Sequence, residues 1–203
     1  MTNHPDYIQE LDSFVDCDYV WSLAQPLLTS EWLSTPDPAA LHKYTDNDDY
    51  IIHVEDNDYL ANIRTQLPLL KPYIKIFKSE QGIWPAHYDN WRVTAVNIPL
   101  HNTAGCETIF YTDDYTEHDT IHSSFGSAEG EWHSSEWITY IRPQETLFSH
   151  ELRVPTLINT NKPHSIHKLT STTRIIASWT YDGAYTQARE DIAKTPLLHV
   201  AKP

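Results

Sequence analysis

The stretch "PAHYDNWRVTAVNIPL", Pro85–Leu100, sets His87 and Asp89 one residue apart, just ahead of an apolar run with β-branched residues. On a strand, alternate side chains share a face. His87 and Asp89 then point one way and Tyr88 the other, which is the arrangement two metal ligands need. Composition alone predicts roughly one His-x-Asp in a chain this rich in both residues. Two occur, the other being His4-Pro5-Asp6. The pair takes its meaning from what surrounds it.

From Tyr73 onward, short runs of β-branched and aromatic residues follow one another: "YIKIFKS", "WRVTAVNIPL", "CETIFYT", "EWITYI", "TLFSHEL", "PTLINT", "HSIHKL" and "TRIIASWTY". Turn residues separate them in "SEQGIWP", "HNTAG", "RPQE" and "NTNKP". Short strands without interleaved helices imply an antiparallel sandwich or barrel, and eight such runs match a jelly roll. The expected fold is mainly β. Residues 1–72 read as helical decoration, 73–182 as the jelly-roll core and 183–203 as a C-terminal tail of one domain. In the first part, "DSFVDCDYVWSLAQPLL" places Phe14, Tyr19, Leu23 and Leu27 on one helical face, and "DNDYLANIRTQLPLL" repeats the pattern with Leu60, Ile63 and Leu67. "DYIIHV" between them suits a short strand.

The 203 residues suffice for a sizeable core, and 12 % aromatic content with seven Trp argues for a folded globular chain. No window nears the ~20 apolar residues that span a bilayer. The N-terminus lacks the features of an export signal, and Cys17 and Cys106 stand far apart, so a reduced, cytoplasmic protein is expected. A net charge of −14 with fourteen scattered basic residues argues against nucleic acid as a partner. "TDNDDY" and "VEDNDY" lack EF-hand spacing and read as solvated loops.

A third ligand is supplied by His164, which opens a strand in "NTNKPHSIHKLTSTTRIIASW". Two His and one carboxylate on one face of an octahedron leave three positions open, as in non-haem Fe(II) oxygenases. Two can chelate a 2-oxo acid and the last can receive O₂. His167 is the rival third ligand. Arg174 lies ten positions after His164, an offset no other histidine shares. Its planar fork suits a carboxylate gripped bidentately, and an Arg in the apolar run "TRIIASW" needs an acidic partner. The distal carboxylate of 2-oxoglutarate fits that need. Ser178, on the same strand face as Arg174, could share it.

The segment from His87 to Trp179 resembles the Fe(II)/2-oxoglutarate-dependent oxygenase superfamily, whose fold is a double-stranded β-helix of jelly-roll type. "HYDNWRVTAVNIPL" and "PTLINTNKPHSI" are similar to its aspartyl/asparaginyl β-hydroxylase and proline hydroxylase branch, and to small phage-type oxygenases. The resemblance implies His87, Asp89 and His164 as metal ligands and Arg174 as the anchor of the distal carboxylate. Asn97 falls where that branch often has a His near the C1 carboxylate. A neighbouring Arg of the branch is replaced by Ala95. Halogenating relatives replace the ligand carboxylate by a small residue, so Asp89 favours hydroxylation of an amino acid, a peptidyl residue or another small molecule.

Other residues are weaker candidates. Tyr111 and Thr108, in "CETIFYT", should line the cavity, Tyr111 as a cofactor contact. Trp91, Trp179 and Arg92 are candidates for substrate contact, although strand parity turns Arg92 away from the ligands. His118, His122 and His133 lie in a loop-like segment, 116–135, that matches no zinc motif and is long enough for a lid. Cys106 reads as a packed thiol. Two other functions fit the same barrel: a cupin-like metal-binding protein without oxygenase activity, and an oxygen-independent isomerase using Zn or Mn. Neither needs a buried cation facing the metal.

Overall fold

The computed structural model describes residues 4–34, 52–90, 92–126 and 133–195. Before the barrel come β1 (Ile8–Glu10), α1 (Cys17–Ala24), α2 (Ser30–Ser34), β2 (Ile52–Glu55) and α3 (Asp58–Gln66). Then follow β3 (Tyr73–Ser79), β4 (Gly82–Asp89), β5 (Ala95–His101), β6 (Cys106–Tyr111), β7 (Tyr115–Gly126) and β8 (His133–Pro143). The last elements are β9 (Thr146–Glu151), β10 (Thr156–Ile158), β11 (His164–Lys168), β12 (Arg174–Thr180) and α4 (Tyr185–Lys194).

The strands form two antiparallel sheets of six, ordered β1-β10-β5-β12-β3-β2 and β7-β8-β4-β11-β6-β9. From β3 to β6, and again from β9 to β12, the chain steps to the opposite sheet at each strand. This is the jelly-roll winding expected from the strand count. Its eight strands are not quite the eight runs read from the sequence. "EWITYI" belongs to β8, in the β7–β8 hairpin, and β4 takes its place. "SEQGIWP" is not a plain turn, because β4 already begins at Gly82. Residues 116–126 and 133–135, the described parts of segment 116–135, are likewise no loop. They belong to the arms of the β7–β8 hairpin, which pairs along β4 through His87↔Tyr140 and Asp89↔Ile138.

The N-terminal region does more than decorate. β1 and β2 are the two edges of the first sheet. Its helices start where polar caps satisfy their first amides: the Asp16 carboxylate accepts from the Tyr19 N–H at 3.1 Å, and the Asn57 side chain from Tyr59 and Leu60 at 3.0 Å each. Leu60, Ile63 and Leu67 are buried as expected. In α1 the buried face is Val20 and Ala24, Tyr19 and Leu23 pack only at its margin, and Leu27 is exposed. The helix begins at Cys17, so Phe14 lies outside it and the expected face is rotated. Residues 185–194, read as tail, form a helix that buries Tyr185 and Ala188.

These helices cover the outer face of the first sheet, and the hydrophobic core lies there. Ile175, Ala177 and Trp179 of β12 pack with Ile74 and Ile76 of β3 and with residues of α1 and α3. The opposite face of β12 carries Arg174, Ile176 and Ser178 into the space between the sheets. Trp179 is therefore a core residue rather than a substrate contact, and its indole N–H donates to the Lys71 carbonyl at 2.7 Å. Trp91 lies outside the described residues.

The packing predicts a large penalty for emptying this core. Trp179→Ala should cost about 3–5 kcal/mol of unfolding free energy, while Leu147→Ala, at an exposed position, should stay within ~0.5 kcal/mol. Urea denaturation checks both. A loss below about 1 kcal/mol for Trp179→Ala would contradict the placement of the core.

Candidate metal centre

β4 and β11 are paired neighbours in the second sheet, with His87 directly opposite His164. The register then slips: Ile166 faces Trp84, so Pro85 and Ala86 together oppose Ser165. This is a β-bulge. Pro85 has no amide hydrogen to give to a ladder, and a bulge is where an interior strand tolerates that loss. The extra residue lets Trp84 and His87, an odd number of positions apart, both line the cavity between the sheets.

His87, Asp89 and His164 converge there. One ligand atom from each lies within 4.8 Å of the others. Their exposures are 5 %, 2 % and 6 %. The ring centres of the histidines are 4.3 Å apart, and His87 Nε2 is 3.8 Å from Asp89 Oδ1. Each imidazole uses Nδ1 in the same way. His87 Nδ1 is 2.8 Å from the Pro85 carbonyl, and His164 Nδ1 is 2.8 Å from the Lys162 carbonyl. A carbonyl can only accept, so Nδ1 carries the proton and Nε2 keeps its lone pair. Backbone carbonyls that fix the tautomer in this way are the usual outer support of metal-ligating histidines.

The electrostatics agree. Burial pushes the His87 pKa down to about 3, and the neighbouring His164 adds to the shift. His164 is lowered as well, chiefly by burial. Both rings are neutral near pH 7, the form that donates to a metal. The donor set of two neutral imidazoles and one carboxylate fits a first-row divalent ion with open positions. His167 lies an odd number of residues from His164, faces the other side of β11 and takes no part.

Arg174 is 2 % exposed and lines the same cavity. Ser178 and Asn97 are cross-strand partners on β12 and β5. Both line the cavity, and the Ser178 hydroxyl donates to Asn97 Oδ1 at 2.7 Å. Thr108 is also in the lining. Tyr111 is not: it lies three positions from Thr108, so the two sit on opposite faces of β6, and its hydroxyl meets Ser165 Oγ at 2.8 Å. Tyr111 thus lies outside the cavity, contrary to the cofactor contact expected of it. His118 is exposed, and the side chains of His122 and His133 lie outside the described residues. Cys106 is a buried free thiol, raised in pKa by burial, and Cys17 is also free.

Arg92 lies inside the cavity, against expectation. Parity counted along an unbroken strand turns it away, but β4 stops at Asp89 and β5 starts at Ala95. The Thr160 carbonyl accepts from the Asp89 N–H at 2.9 Å, and the Thr160 hydroxyl donates to the Arg92 carbonyl. Thr160 thus holds both Asp89 and Arg92, and Arg92 lines the cavity. Its Nε and Nη2 donate to Asp89 Oδ2 at 3.2 and 2.9 Å, and its Nη1 donates to Ser178 Oγ at 2.8 Å. Asn90, with its break-forming character just before Trp91 and Arg92, was the available signal.

No protein-family model matches this chain, and no curated protein matches it in sequence. Among solved structures it is similar to a prolyl-4-hydroxylase from Pseudomonas putida, with 10 % identity and a TM-score of 0.45 over 88 % of this chain and 94 % of that one. It is also similar to vicilin from Capsicum annuum, with 9 % identity and a TM-score of 0.32 over 73 % of this chain and 40 % of that one. Likenesses this remote carry no argument about chemistry, which rests on the cavity itself.

Proposed function

We propose that the protein is an Fe(II)- and 2-oxoglutarate-dependent dioxygenase that hydroxylates an amino acid, a peptidyl residue or another small molecule. The observation that carries this reading is one cavity holding both His87, Asp89 and His164, with their donor atoms clustered, and the buried guanidinium of Arg174. His87, Asp89 and His164 would hold the metal. When bound, iron supplies O₂ activation coupled to decarboxylation of the oxo acid to succinate. The rest falls to the protein. Arg174 grips the distal carboxylate of 2-oxoglutarate through its fork, and Asn97 and Ser178 offer polar contacts along the same wall. Phe77, Trp84, Ile138 and Ile176 give the cavity its apolar lining, which keeps water from competing for these charges. A metal-binding protein without oxygenase activity does not need a cation facing the metal.

The ligand assignment predicts that His87→Ala, Asp89→Ala and His164→Ala each abolish tight Fe(II) binding, whereas His167→Ala preserves it. Calorimetric titration tests this, and undiminished binding by His164→Ala would overturn it. Arg174→Ala should bind Fe(II) normally but lose roughly a hundredfold in 2-oxoglutarate affinity, and Arg174→Lys should recover only part. Succinate formation by the three proteins measures the consequence. Equal turnover would remove Arg174 from the site.

A third expectation concerns pH. With His87 lowered to about 3, metal binding near neutral pH displaces no proton from that ring, and burial lowers His164 as well. Affinity for Co(II) should fall by less than about fourfold between roughly pH 7.5 and pH 6, whereas a site of two ordinary histidines titrating near 6.5 would lose more than about tenfold. The unfolded chain protonates both rings near 6.5, while the folded chain holds His87 neutral down to about 3 and His164 to below its ordinary value. The metal-free protein therefore loses stability as pH falls below about 6.5. Tenfold weaker Co(II) binding at about pH 6 would contradict the neutral tautomers.

A further inference from the structure

Two oxygens of one carboxylate can ligate a metal singly or together. If both oxygens of Asp89 bound, the protein would fill four of six positions and leave two open. An oxo acid that chelates through two atoms would then leave no room for O₂. The metal-binding reading above, on which this inference rests, thus requires Asp89 to bind through one oxygen only.

The surroundings of Asp89 impose that limit. Oδ1 faces His87 Nε2 at 3.8 Å. Oδ2 accepts from both Nε and Nη2 of Arg92, and the two side chains are only 3 % and 13 % exposed. The fork is itself held at both ends. Its Nη1 is bonded to Ser178, which is bonded to Asn97, and the Arg92 carbonyl is tied to the Thr160 hydroxyl. Thr160 also fixes the Asp89 backbone through the Asp89 N–H. Turning Oδ2 toward an ion would break two charge-assisted hydrogen bonds between side chains that are only 3 % and 13 % exposed, where such bonds are stronger than at the surface. We infer that Arg92 is a positioning residue that restricts Asp89 to ligation through Oδ1, and so keeps three coordination positions open. A surface ion pair would do little of this kind; a buried fork anchored at both ends can.

The number of open positions is measurable without turnover. Mn(II) bound to the protein relaxes the protons of its coordinated waters in proportion to their number. Three waters are expected in wild type and two in Arg92→Ala, so relaxivity per bound Mn(II) should fall by about one third. Arg92→Lys, which retains one charged donor, should stay close to wild type. Electron paramagnetic resonance counts the bound Mn(II), and circular dichroism checks the fold. If Arg92→Ala does not fold, Thr160→Val loosens Arg92 without touching the Asp89 side chain, and should show a smaller fall of the same sign. Unchanged relaxivity in a folded, Mn(II)-loaded Arg92→Ala, or in Thr160→Val where that variant stands in, would overturn the inference and leave the metal site standing. Failure of wild type itself to bind Mn(II) would overturn both.

Discussion

The pairing of His87 with His164 across β4 and β11, set by the bulge at Pro85 and Ala86, is the constraint on which the site depends. Side-chain direction in a strand has a period of two, so a slip of one residue sends a side chain to the opposite face. The bulge uses that rule locally. It places Trp84, His87 and Asp89 on one wall although Trp84 and His87 are three positions apart. The β7–β8 hairpin then pairs along the other edge of β4, which fixes the strand from both sides.

A sandwich that opens its interior to two histidines, a carboxylate and two arginines cannot draw its stability from that interior. Buried charges cost free energy unless they are paired and hydrogen-bonded. Here Arg92 satisfies Asp89, and backbone carbonyls satisfy both imidazoles. Burial of apolar surface takes place elsewhere, between the outer face of the first sheet and the helices. β12 shows the division along one strand: Arg174 and Ser178 face the cavity, while Ile175, Ala177 and Trp179 face the core. The N-terminal helices are therefore part of what makes a polar interior affordable.

Much of this architecture was legible in the sequence, because apolar alternation is local. "YIKIFKS" is β3 to the residue, and "TRIIASWTY" differs from β12 by one residue at each end. Leu60 and Ile63 announced α3. The candidate ligands were legible in part. Parity puts His87 and Asp89 on one face, whereas His164, 77 residues on, is preferred to His167 by its offset from Arg174 and by the resemblance. The fold clusters the three. What failed depended on tertiary context. "GIWP" has the composition of a turn, and only the bulge and its paired neighbours make it a strand. The polar β7 and the start of β8 lack the apolar alternation that marks a strand, which only "EWITYI" supplies. Tyr111 and Thr108, an odd number of positions apart, cannot share a face of β6. Parity does not carry to Arg92 because the strand ends at Asp89, and Thr160, 68 residues away, holds the Arg92 carbonyl.

The central claim is that iron and 2-oxoglutarate share this one cavity, and a visible-light titration tests it most directly. Under anaerobic conditions, 2-oxoglutarate added to the Fe(II)-loaded protein should produce the metal-to-ligand charge-transfer band of a chelated 2-oxo acid. The band should saturate at one equivalent and be absent from His164→Ala. No band in a protein shown to hold Fe(II), or an equal band in His164→Ala, would contradict the account.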